Sequence, residues 1–173
     1  MPRLVALLRG VNVGGRNRLP MAELRALAEG LGLREVETFI QSGNLLFSSD
    51  LTDPAGTLAL AIERRFGLAV PVVVRSAEEL ERVRSFDPFP QADANALHVG
   101  FLAAAPGAGV TDSLEPERFI SERFVLAGCE VYFRLPAGMG RAKLPAYLDR
   151  RLSGGLTVRN WRTLEALARL AAD

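Results

Sequence analysis

Along the first half of the chain, apolar positions switch between strand and helix periods. Residues 3–9, RLVALLR, make an apolar run of strand length, suited to a central strand buried on both faces. A glycine-rich polar stretch follows. Pro20 suits a first helical turn, and Met21, Leu24, Leu27, Ala28 and Leu31 recur at helical spacing until Gly30 and Gly32 stop the helix. EVETFI (35–40) and NLLFSS (44–49) are β-type runs, and Ser42 with Gly43 predicts a two-residue turn between them. Asp53 and Pro54 open a second helix with Leu58, Ile62 and Phe66 on one face and Gly67 as its stop. AVPVVVR is a further strand, and Ser76 with Glu79 forms a capping box for a short helix.

The order is β-α-β-β-α-β, and it begins again after a proline-containing stretch without periodicity, SFDPFPQADAN. ALHVGFLAA is a strand, residues 112–121 a short irregular or helical passage, and RFVLAGCEVYFRL a hairpin turning near Ala127, Gly128 and Cys129. Leu144, Tyr147, Leu148 and Leu152 mark a helix and LTVR a short strand. Leu164, Leu167, Ala168 and Ala171 mark a closing helix behind a cap at Asn160. The expected fold class is α+β: two tandem ferredoxin-like (βαββαβ) halves with antiparallel sheets. Residues 1–84 form the first half, 85–95 a linker, and 96–173 the second half with its C-terminal helix.

Composition narrows the class. With 173 residues, 49% of them hydrophobic, the chain can bury a real core, and no apolar run reaches the roughly 18 residues of a spanning helix. LVALL is too short for a signal peptide, so a cytoplasmic location and no membrane partner are expected. The lone Cys129 excludes an internal disulfide, and the net charge of +1 argues against coating nucleic acid by bulk electrostatics. The charge is unevenly spread. Arg9, Arg16 and Arg18 stand without a nearby acid, and residues 141–162 carry Arg141, Lys143, Arg150, Arg151, Arg159 and Arg162 against Asp149 alone.

LRGVNVGGRNRLPM (8–21) comes close to a phosphate-binding P-loop, but Pro20 starts the helix too far beyond Gly15, and Asn17 stands where a Mg²⁺-binding hydroxyl is required. A looser reading survives: Gly14 and Gly15 can expose backbone amides beside Arg9 and Arg16, which suits an anion. The alternative is that the glycines shape a tight passage between strand and helix and that the arginines are solvated or paired to carboxylates. Across the expected hairpin, Gln41 and Asn44 face each other and present two amides away from the core, either to a ligand or to the nearby backbone. GRAKL sets Arg141 and Lys143 at a helix start, where cations oppose the dipole: either an anion binds there or the cations point into water at small cost. TVRN adds Arg159 and Asn160, while Trp161 reads as core or lid. His98 reads as a structural histidine beside Gly100 and Leu102. Cys129 has no histidine near it in sequence, no metal-ligand spacing occurs, and no catalytic constellation is identified.

The segments ALLRGVNVGG, MAELR, TFIQSGNLLF, GRAKL and TVRNWRT, in this order, together resemble the bacterial domain-of-unknown-function family 1697. The resemblance implies a cytoplasmic α+β protein without an established biochemical activity. The chain carries Arg16 where the family pattern has lysine and Ala142 where it has serine; the first change keeps a charge, the second removes a hydroxyl.

The expected function is a binding protein for a phosphate-bearing ligand, a nucleotide or a nucleic-acid backbone, with no cofactor or metal. Its composite site would comprise Arg9, Asn12, Gly14, Gly15, Arg16, Gln41, Ser42, Asn44, Arg141, Lys143, Arg159 and Asn160. One alternative is an enzyme acting on a phosphate ester or nucleotide, in which arginines stabilise developing charge. The other is a structural or dimerising scaffold with no small ligand.

Overall fold

A computed structural model describes residues 1–152 and 155–173. Among them are two four-stranded antiparallel sheets and six α-helices. The chain divides into two compact units, Met1–Arg82 with Leu167–Asp173, and Val83–Ala166.

In the first unit, β1 (Arg3–Leu8), α1 (Met21–Gly30), β2 (Arg34–Phe39), β3 (Asn44–Ser48), α2 (Pro54–Phe66) and β4 (Val72–Ser76) follow in turn, with sheet order β2-β3-β1-β4. β1 runs between β3 and β4, with Val5 opposite Leu46 on one side and Arg75 on the other. That central position explains its unbroken apolar sequence. One sheet face contributes Ala6, Leu8, Leu45 and Phe47 to a core completed by Leu24 and Ala28 of α1 and by Leu58 and Ile62 of α2. The local signals act as their chemistry requires. Asp53 Oδ1 accepts from Gly56 N at 2.9 Å, and Gly67 ends α2 at φ 70°. Ser76 and Glu79 cap reciprocally, at 2.8 and 3.1 Å, the start of α3 (Ala77–Ser85).

The second unit runs β5 (Leu97–Phe101), α4 (Ala108–Thr111), β6 (Arg123–Ala127), β7 (Glu130–Arg134), α5 (Leu144–Arg151), β8 (Thr157–Asn160) and the first part of α6 (Trp161–Ala172), whose end from Leu167 on belongs to the first unit. Its strand order is β6-β7-β5-β8. Gly128, at φ 60°, and Cys129 make the two-residue turn between the paired Ala127 and Glu130. The core packs Val131 and Phe133 against Leu144, Tyr147 and Leu148 of α5.

The two sheets share more than their order. Arg75 lies opposite Val5 of the first central strand, Arg159 opposite Val99 of the second. Both arginines are buried, and each donates from Nη1 to the carbonyl of the valine just before it. The sequences of the two halves are dissimilar, yet the same residue type occupies the same register position.

The β2–β3 connection differs from the expected two-residue turn. Phe39 pairs directly with Asn44, so residues 40–43 form a four-residue loop. Leu8 N donates to Gly43 O at 2.8 Å. A Cβ on Gly43 would lie 2.5 Å from Val11 Cγ2 and 2.8 Å from Leu8 Cβ, at a φ of +87°. Glycine is required here for both backbone conformation and close approach. Gly43→Ala should therefore destabilise the protein by about 2 kcal/mol or more in urea denaturation, whereas Gly67→Ala, where no atom crowds the position, should cost only about 1 kcal/mol.

Candidate functional site

In the first unit, the chain leaving β1 enters a run of left-handed residues: Gly10, Asn12, Gly14, Gly15 and Asn17 all have φ between 50° and 73°. Glycine and asparagine are the residues that accept this conformation most readily. The run folds into a miniature hairpin. Val13 pairs with Arg16, Arg16 N donates to Val13 O at 3.0 Å, and Asn12 N donates to Asn17 O at 3.1 Å. With positive φ at both central residues, Gly14 and Gly15 form a type I′ turn at its tip. Asn17 Nδ2 closes the base onto Gly10 O at 3.0 Å.

Asn12 joins this finger to the neighbouring loop. Its Oδ1 accepts from Leu19 N at 2.8 Å, and its Nδ2 donates to Leu19 O at 2.9 Å and to Gln41 O at 2.8 Å. One side chain thus ties the finger, the approach to α1 and the 40–43 loop together. Asn44 plays a similar part beneath that loop. It is wholly buried, with Nδ2 donating to Phe39 O at 3.0 Å and Ser42 Oγ at 3.1 Å. This corrects the expectation that Gln41 and Asn44 present paired amides outward: the four-residue loop takes Gln41 out of the strand, and Asn44 turns inward to hold the loop.

The loop also contains a feature that the sequence does not announce. Ile40, expected within the β-type run 35–40, sits instead in the loop at φ 52° and is 50% exposed. A β-branched residue in the left-handed region costs of order 1–3 kcal/mol. At the finger, Val13 is 61% exposed. Arg16 and Arg18 are exposed, and among the described residues neither side chain has an ion pair or hydrogen bond. Arg9, at the end of β1, is half-buried, and its backbone N–H bonds Pro71 O at 3.0 Å.

The remaining candidates lie in the second unit. Arg141 and Lys143 are exposed at the start of α5. The anion that this helix start invites is supplied by the chain: Glu122 accepts from Lys143 N at 2.9 Å and Leu144 N at 3.2 Å. Glu122 lies more than 20 residues from its partners, so local spacing could not reveal it. Arg159 is buried on β8, and burial lowers its pKa to about 10, still far above neutrality. Asn160 Oδ1 caps α6 by accepting from Thr163 N at 2.8 Å.

His98 is buried, with Nδ1 lacking a hydrogen-bond partner among the described residues. Desolvation lowers its pKa, partly offset by the backbone at Ala96. No cluster of three or more metal-binding side chains occurs among the described residues, and no helix there is long and apolar enough to cross a membrane.

Fold and site together define an α+β protein of two antiparallel sheets whose first unit carries an exposed arginine hairpin on a hydrogen-bonded loop pair. The chain belongs to the family described as Protein of unknown function (DUF1697), whose pattern matches residues 1–132. GRAKL and TVRNWRT lie beyond that match; the finger and the 40–43 loop lie within it. The fold is similar to that of a conserved bacterial protein from Streptococcus pneumoniae at 24% identity and a TM-score of 0.72, covering 100% of this chain and 99% of that one. No curated protein matches the chain.

Two outcomes follow. Ile40→Gly removes the left-handed penalty and should raise stability by about 1 kcal/mol, whereas Asn12→Ala should lower it by about 2 kcal/mol or more, both read from urea midpoints. The sign of the histidine effect is set by its lowered folded pKa. The unfolded chain takes up the proton first, so stability falls as pH drops below about 6.5. His98→Asn should flatten this part of a stability-against-pH curve, leaving the carboxylate-driven loss at lower pH.

Proposed function

We propose that the protein binds a phosphate-bearing ligand, and specifically a nucleic-acid backbone, through the finger of its first unit. The observation that carries this reading is the exposed, hydrogen-bonded hairpin bearing Arg16 and Arg18. Their side chains have no ion pair or hydrogen bond among the described residues, and no acid occurs from Arg9 to Ala22. A turn that projects outward does not enclose a small nucleotide. It can lie along a chain of phosphates, with guanidinium groups supplying paired N–H donors. Asn12, Ser42 and Asn44 then act as positioning residues whose hydrogen bonds fix the hairpin and its neighbouring loop. Arg141 and Lys143 add surface charge, but the helix amides beside them already hold Glu122.

On this reading each unit is a ferredoxin-like fold, in a bacterial protein of the cytoplasm. The matching strand orders, β2-β3-β1-β4 and β6-β7-β5-β8, support the fold assignment, and a single cysteine suits a reducing compartment.

The test is salt-dependent fluorescence anisotropy with a labelled mixed-sequence single-stranded oligonucleotide. Binding should weaken linearly in log–log form, and Arg16→Ala and Arg18→Ala should each reduce the slope by roughly 0.7. An unchanged slope in the double variant, with its melting temperature retained, contradicts the proposal.

A further inference from the structure

We infer that the ligand is a single-stranded nucleic acid and that Ile40 is a contact residue for its bases, an inference that rests on the phosphate-binding reading above. The finger offers charge, but the surface around it offers more than charge. Val13 is 61% exposed between the finger's base and its glycine tip, and Ile40 is 50% exposed on the loop that Asn12 Nδ2 ties to the finger. Ile40 is also held at φ 52°, a conformation that isoleucine resists. Glycine or asparagine would fit that backbone better, as the chain itself does at Gly10, Asn12 and Asn17. Strain kept on an exposed apolar side chain, in a loop tied to a finger that carries arginines and no acid, points to a contact made there rather than to packing.

The chemistry of the partner follows from the two surfaces. Free phosphate or polyphosphate satisfies Arg16 and Arg18 but gives Val13 and Ile40 nothing to cover. A duplex presents its phosphates outward and keeps its base faces stacked inside. An unpaired strand offers both groups side by side: phosphates for the arginines, and unstacked base faces for the aliphatic side chains. The positive charge of the finger selects such a polyanion over a neutral apolar partner.

Ile40→Gly separates this role from a structural one, because it relieves the backbone while deleting the contact. Affinities of the wild type and of this variant are compared for a single-stranded oligonucleotide, its duplex, inorganic polyphosphate and poly-glutamate. The single strand should be bound most tightly, and Ile40→Gly should weaken it by about tenfold. The variant should leave polyphosphate affinity and the salt slope unchanged. Ile40→Asn, also tolerated in the left-handed region, gives the same readout if the glycine variant fails to fold. Equal single-strand affinity in the wild type and both variants, or duplex binding as tight as single-strand binding, overturns the inference while leaving the phosphate reading intact. Preferred, Ile40-dependent binding of poly-glutamate assigns the surface to an acidic protein and overturns it too. Failure of all three phosphate-bearing probes to bind overturns both.

Discussion

The carboxamide of Asn12 is the constraint on which the first unit's surface depends. It uses its oxygen and both of its N–H donors: Oδ1 accepts from Leu19 N, while Nδ2 donates to Leu19 O and Gln41 O. Together with the bonds within the finger, from Arg16 N to Val13 O and from Asn17 Nδ2 to Gly10 O, it opposes the entropy of an open loop, in which each ordered backbone residue costs about 1–2 kcal/mol. Gly43 makes the arrangement possible from beneath. By lacking a side chain, it lets the 40–43 loop rest against Leu8 and Val11, both wholly buried. The apolar core therefore sets the height of the loop, and Asn12 sets its attachment to the finger.

The helix ends and the loop beside the finger are satisfied by the chain itself, and what sets the finger apart is a hydrogen-bonded turn carrying cations in a stretch, Arg9 to Ala22, that holds no acid. The α5 N-terminus, which would otherwise attract an anion, holds Glu122. Asp53, Ser76 with Glu79, and Asn160 satisfy the first turns of their own helices. Asn44 bonds to Phe39 and Ser42 below the surface. Arg16 and Arg18 are exposed on the finger, and the loop that Asn12 ties to it carries a half-exposed isoleucine in a costly backbone conformation.

What could be read from sequence divides along the range of the interactions. Helix caps act over three residues, so Asp53, Ser76, Glu79 and Asn160 announce themselves, as does the turn at Gly128 and Cys129. Strand order follows from the apolar run of β1 and from the repeated succession of elements. The 40–43 loop did not announce itself, because Ser-Gly between two β-type runs also suits a two-residue turn; the longer loop depends on the meeting of Gly43 with Val11, more than 30 residues away. The same distance hides the burial of Asn44 and the exposure of Ile40. For the finger a local signal was present: Gly-Gly between Val13 and Arg16 is a type I′ hairpin pattern, masked by its likeness to a phosphate loop.

The central claim is that the finger and the 40–43 loop form one binding surface, and an NMR titration of ¹⁵N-labelled protein with a short single-stranded oligonucleotide tests it directly. The account predicts saturable shifts in the amides of residues 13–18 and 40–43, appearing together with one dissociation constant. Shifts confined to other surfaces, or a saturated titration that leaves both loops unmoved, would contradict it.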